Sequence, residues 1–114
     1  MTKVLILEDK WQSREVLVRM VEEIDAGAAV FAVANEDEAY AIAMKRSIDV
    51  FLVDIILHPE RMGDQSGAVF ACNIRNVEKY NFTPIIFISA LYDAKICMFS
   101  TVQCYGFIEK PFNM

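Results

Sequence analysis

Val50-Phe51-Leu52-Val53-Asp54-Ile55-Ile56-Leu57 sets one carboxylate among seven apolar residues. Val50 to Asp54 reads as a buried strand ending on an acid. An ionised side chain in such surroundings is costly unless something compensates it. Two other segments repeat the pattern of a buried strand followed by charge: Val4-Leu5-Ile6-Leu7 runs into Glu8-Asp9, and Phe107-Ile108 is followed closely by Lys110. Three acids and one lysine, each just past a strand, point to a phosphoryl or metal site at one edge of a sheet.

Outward from that core run, strands alternate with helical patterns. Strand one is Lys3 to Leu7. Helix one spans roughly Ser13 to Ile24, with Val16, Leu17, Met20, Val21 and Ile24 at helical spacing, and Asp25-Ala26-Gly27 ends it. Strand two is Ala29 to Val33. Asn35 is the expected N-cap of a second helix from Glu36 to about Arg46, whose Glu36-Asp37-Glu38 suits the positive end of the helix dipole. After strand three comes a polar loop, His58 to Gln65. Ser66 is expected to cap a third helix, Gly67 to about Val77. Pro84 opens strand four, Ile85 to Ser89. Asp93 to Val102 reads as a fourth helix and Tyr105 to Ile108 as strand five. This alternation predicts an α/β fold, a doubly wound five-stranded parallel sheet covered on both faces. In such a sheet ligands sit beyond the carboxyl ends of the strands. Glu8, Asp9, Asp54, Ser89 and Lys110 fall at the carboxyl ends of four different strands and therefore gather at one edge.

At 114 residues the chain is one domain, residues 1–114, and with 55% hydrophobic residues it can fill a core. The net charge of -5 argues against direct nucleic-acid binding. No run approaches the roughly 20 apolar residues of a membrane span, and Met1-Thr2-Lys3-Val4 lacks a signal-peptide layout. Cys72, Cys97 and Cys104 show no close-pair spacing, so reduced, mostly buried thiols in the cytoplasm are expected. His58, the sole histidine, makes a zinc site improbable.

The clustered acids explain themselves chemically. Neighbouring carboxylates repel, and a hard divalent cation relieves the conflict. Mg2+ takes oxygen ligands and keeps several waters, so one or two carboxylates plus phosphate oxygens suit it. Asp54 is then an oxygen nucleophile toward phosphorus, with Lys110 and Ser89 available to the phosphoryl oxygens.

With these pieces in order, the chain resembles the receiver domain of two-component response regulators. The likeness rests on Val4-Leu5-Ile6-Leu7-Glu8-Asp9, Phe51-Leu52-Val53-Asp54, Pro84-Ile85-Ile86-Phe87-Ile88-Ser89-Ala90 and Phe107-Ile108-Glu109-Lys110-Pro111-Phe112. It implies a flavodoxin-like sheet of order 2-1-3-4-5 and a CheY-like phosphoacceptor at Asp54. It further implies Mg2+ held by Asp9, by Glu8 largely through water, by Asp54 and by the Ile56 backbone carbonyl. Ser89 would be the switch hydroxyl, Phe107 the switch aromatic, and Lys110 the partner of Asp54 and then of phosphate. The implied donor is a sensor histidine kinase or phosphotransfer protein, and the implied output is an altered surface for a downstream effector. Such a domain catalyses only its own phosphorylation and hydrolysis and is not otherwise an enzyme.

The chain departs from the family pattern in three places. His58 stands where a proline is common, with Pro59 next and Gly67 much later; the loop reads as a solvated variation, with control of access to the site as the alternative. Gln103-Cys104 replaces a common Gly-Ala, and Gly106 is expected to supply the lost turn freedom. The family's fifth helix would begin near Phe112, so it is missing or truncated here; part of the face it shares with helix one is then bare, and a shortened chain, a homodimer or a swapped assembly is expected. Trp11 is expected to pack at the start of helix one. The competing function is a constitutive interaction domain that no longer switches. An aspartate-nucleophile phosphatase is disfavoured because Ile56 stands where its second acid belongs, and a flavin site because the turn Glu8-Asp9-Lys10-Trp11 is acidic.

Overall fold

The computed structural model describes residues 1–89 and 105–109. Its elements in chain order are β1 (Lys3–Leu7), α1 (Trp11–Ile24), β2 (Ala29–Val33), α2 (Glu36–Lys45), β3 (Val50–Asp54), α3 (Ser66–Arg75), a short 3-10 turn (Glu78–Tyr80), β4 (Ile85–Ser89) and β5 (Gly106–Glu109). The five strands form one parallel sheet in the order β2-β1-β3-β4-β5. The strand order reverses between β1 and β3, and this opens a crevice at their carboxyl ends. The expected fourth helix and the region where a fifth would start lie outside the described residues.

Alternation along the strands divides the core in two. Leu5, Leu7, Phe51, Val53, Ile85 and Phe87 face α2 and α3, where Ala39, Ala43, Phe70 and Ile74 meet them. Val4, Ile6, Leu52 and Ile88 face the opposite way, toward Leu17 of α1. Each such side chain, fully buried, stabilises the fold by roughly 1.5–3 kcal/mol. The small Ala39 and Ala43 let α2 approach the sheet closely. On the α1 face, an apolar groove of about 310 Å³ runs between α1 and the sheet, lined by Leu17, Met20, Val21, Leu52, Ile86 and Ile108 among others.

Local signals set the ends of the elements. The Asn35 side chain accepts the Glu38 N–H at 3.0 Å, as expected for an N-cap. At the start of α1 the structure differs from the sequence expectation. The helix begins at Trp11, not Ser13, after an extended Lys10 that offers no capping side chain. Trp11 is accordingly a first-turn residue, 59% exposed, and does not pack as a staple. Ile24, placed on the core face by its spacing, is 85% exposed because the last turn of α1 runs out to the rim of the groove. Tyr80 is fully buried, and its hydroxyl lies 2.6 Å from the Ala43 carbonyl and 3.2 Å from the Ile48 N–H it accepts. It thereby joins the end of α2 to the approach to β3. Gly106 opens β5 in ordinary strand geometry; among the described residues the glycine with positive φ is Gly63, at 72°.

Candidate functional site

Two adjacent strands deliver the acids. At the end of β1, the Glu8 N–H donates to the Val33 carbonyl at 3.1 Å, extending the pairing with β2 by one residue. The chain then turns into α1, and Arg14 reaches back from the first turns of that helix. Its Nη1 donates to the Glu8 carbonyl at 2.8 Å and the Asp9 carbonyl at 3.2 Å. One guanidinium nitrogen thus holds the backbone of both acidic residues. Glu8 is fully buried and Asp9 half-buried.

At the end of β3, Asp54 is 2% exposed. Its Oδ1 accepts the Ile56 N–H at 3.1 Å, the short side-chain-to-backbone bond of an Asx turn. The following residue is tied at both ends, since the Ile55 N–H donates to the Ile88 carbonyl at 3.1 Å and the Ile55 carbonyl accepts the Gly67 N–H at 2.8 Å. Gly67 packs directly on the phosphoacceptor candidate. A Cβ there would overlap the Asp54 carbonyl oxygen and lie 2.7 Å from its carbon and 2.9 Å from the Ile55 Cα. Only glycine lets α3 begin this close to β3.

The result is a three-carboxylate cluster. Glu8, Asp9 and Asp54 each present an oxygen, and these oxygens all lie within 4.8 Å of one another. Like charges this close, two of them buried, repel strongly in a low-dielectric setting. An all-oxygen donor set of this charge fits a hard divalent cation and suits neither zinc nor copper, which favour nitrogen and sulfur.

The structure brings Glu8, Asp9 and Asp54 together as the sequence led one to expect. Ile56 follows Asp54 in the same turn. Ser89 closes β4 beside β3, where Asp54 is in register with Ile88, and Phe107 is in register with Phe87. Lys110 and Ala90 lie outside the described residues. His58 turns away from a ligand role: Nε2 lies 3.4 Å from Glu36 Oε2 and Nδ1 3.8 Å from Glu60 Oε2. Cys72 is half-buried, and Cys97 and Cys104 are outside the described residues.

Three contributors went unread in the sequence. Arg14 shows only as one more basic residue on a helix. Gly67 is read only as the first residue of the third helix, where a glycine is a faint signal of close backbone approach. Asp64 shows none, although it organises the β3–α3 loop. Its Oδ2 accepts the Leu57 and His58 N–H groups at 3.1 Å each, the Ser66 N–H at 3.3 Å and the Ser66 hydroxyl at 2.7 Å. Ser66 is therefore the first residue of α3 and is itself held by Asp64; it is not the cap, and Gln65 at the cap position makes no side-chain bond. Partial burial pushes the Asp64 carboxyl up, but the Ser66 hydroxyl, the His58 and Ser66 N–H groups and the His58 charge outweigh it. The net effect holds the group below its ordinary value.

A doubly wound flavodoxin-like sheet with a buried aspartate and an acidic pair at its switch point defines the class. The sequence matches the response regulator receiver domain over residues 4–114, and the chain belongs to that family. It is similar in structure to the chemotaxis response regulator CheY4 of Vibrio cholerae, at 30% identity and a TM-score of 0.80 over 99% of this chain and 89% of that one. A putative response regulator from Chloroflexus aurantiacus shares the fold at 24% identity, with a TM-score of 0.80 over 98% of this chain and 87% of that one. The receiver domain of NtrX from Brucella abortus does so at 22% identity and a TM-score of 0.76 over 96% of this chain and 87% of that one. Among curated proteins no relative matches. No helix among the described residues is long and apolar enough to cross a membrane.

Proposed function

We propose that the chain is a phosphoacceptor whose Asp54 takes a phosphoryl group from a phosphohistidine of a sensor kinase or phosphotransfer protein. The observation that carries this reading is the convergence of Glu8 and Asp9 on the buried Asp54. In the transfer an Asp54 carboxylate oxygen attacks phosphorus as the phosphorus–nitrogen bond breaks. The electron pair leaves with the imidazole nitrogen, which then takes a proton from solvent. Glu8, Asp9, Asp54 and the Ile56 carbonyl would hold Mg2+, whose charge offsets that of the incoming phosphoryl oxygens. Lys110 pairs with the phosphoryl group by analogy with the family, Ser89 supplies the switch hydroxyl and Phe107 the switch aromatic, which together alter the surface offered to an effector. The domain turns over no separate substrate.

The test is phosphorylation by a small acyl phosphate with Mg2+, read by intact mass. The wild type should gain one phosphoryl group and Asp54→Asn none, and chelation should abolish the gain. Label on a residue other than Asp54, or equal labelling without Mg2+, would overturn the reading. A constitutive interaction domain predicts no labelling at all.

A further inference from the structure

Asp64 lies ten residues beyond Asp54, yet the loop brings its carboxylate back to the residues that follow Asp54. The turn at Gly63, with φ at 72°, makes the return, and the Asp64 N–H donates to the Arg61 carbonyl at 3.3 Å. The bond that matters most is the one from the Leu57 N–H to Asp64 Oδ2, at 3.1 Å. That N–H belongs to the same peptide group as the Ile56 carbonyl. In a planar trans peptide the two point in opposite directions. Fixing the N–H on Asp64 therefore fixes the bearing of the carbonyl, away from Asp64. On the near side, the Ile56 N–H is fixed on Asp54 Oδ1 at 3.1 Å. Ile56 is held from both sides by carboxylates, one inside the acidic cluster and one outside it.

We propose that Asp64 is a positioning residue for divalent-cation binding, aiming and polarising the Ile56 carbonyl through the Leu57 amide. The inference rests on the reading of the acidic cluster as an Mg2+ site. An anion bonded to the N–H end of a peptide raises the electron density on its carbonyl oxygen, making that oxygen a better ligand. Partners that orient a metal ligand typically matter about 10–100-fold in affinity. In this chain a charged side chain restrains the backbone where, by the family resemblance, a proline is common and His58 stands instead.

The experiment is calorimetric titration of the full chain with Mg2+, at a temperature where circular dichroism shows each variant folded. Asp64→Ala is expected to bind Mg2+ about tenfold more weakly or worse. Asp64→Asn keeps an acceptor oxygen without the charge and should fall between Asp64→Ala and wild type. Ser66→Ala removes a bond to Asp64 but spares the Leu57 amide; it should lose stability while binding Mg2+ as the wild type does. That split between affinity and stability is what a merely structural role would not produce. Should Asp64→Ala fail to fold, Asp64→Asn against Ser66→Ala carries the same contrast. Wild-type affinity in a folded Asp64 variant, or equal weakening in Ser66→Ala, overturns the inference while leaving the Mg2+ site intact. A wild type that binds no Mg2+ overturns both.

Discussion

The turn after β1 and the loop after β3 bring carboxylates to the same point by opposite chemistry. The first is short, and a cation closes it: Arg14 takes the carbonyls of Glu8 and Asp9. The second is long, and an anion closes it: Asp64 takes the amides of Leu57, His58 and Ser66. The difference follows from which backbone groups each segment leaves over. A chain leaving a strand for a helix exposes carbonyls on one side of its turn and amides on the other, and a buried or half-buried group of either kind needs a partner. In both places one side chain serves several backbone groups, so the acidic cluster depends on two residues that are not part of it.

The contrast breaks most severely at Gly67, on which both the loop and β3 rest. Gly67→Ala forces a methyl into the Asp54 peptide, where the obstacle is backbone and cannot rotate aside. A loss of about 3 kcal/mol or more is expected in urea unfolding, near the upper end for overpacking. Any folded fraction should accept a phosphoryl group more slowly, because relief must separate the start of α3 from the Asp54 peptide. Wild-type stability would mean that α3 can start farther from β3 than it does here.

Arg14→Ala tests the cationic turn. Hydrogen bonds to charged groups contribute about 1.5–3 kcal/mol each, less where water reaches them, so a net loss of about 2 kcal/mol is expected. Arg14→Lys should recover only part of it, since one ammonium on a flexible stem does not reproduce the rigid guanidinium. Full rescue by lysine would show that charge alone is at work. Phosphorylation by an acyl phosphate should slow in both variants as Glu8 and Asp9 lose their fixed backbone.

These two turns also mark how far the sequence could be read. β1 to β4 fall where their apolar runs stand: β1, β3 and β4 lie inside the sheet and need little beyond continuous hydrophobicity, while the edge strand β2 keeps its run although it is only partly buried. The Asn35 cap was legible because capping is a local matter of one side chain and an amide three residues on. The gathering of Glu8, Asp9 and Asp54 was legible because strand ends in a parallel sheet share an edge. Arg14 was not, since its partners lie five and six residues back around a turn whose course no propensity fixes. Asp64 was not, because its bonds exist only once Gly63 has reversed the loop. The start of α1 at Trp11 was missed because Lys10 gives no capping signal.

The anionic loop has a pH signature that the cationic turn lacks. The folded state holds the Asp64 carboxyl below its ordinary value of 3.8, while the unfolded chain does not. The unfolded state therefore takes up the proton first as pH falls. The stabilisation from Asp64 is fully present above the ordinary value and is lost as pH drops through the lower folded value. Asp64→Asn should be less stable than the wild type at neutral pH, with the gap narrowing below about pH 4. A gap that persists unchanged at pH 3 in urea titrations would show that the carboxylate's charge contributes nothing.

The smallest effect is expected where the loop touches α2. His58 and Glu36 approach to 3.4 Å with side chains 27% and 28% exposed, so the pair is screened and its net worth is low. His58→Ala should cost less than about 1 kcal/mol in urea unfolding, and it should leave acyl-phosphate labelling of Asp54 intact. The reason is that the backbone N–H of His58, not its ring, is what Asp64 holds. A large loss of labelling in His58→Ala would instead place the imidazole in the site. A large loss of stability would show that the long loop is held chiefly by its contact with α2, and the parallel between one clamping cation and one clamping anion would fail.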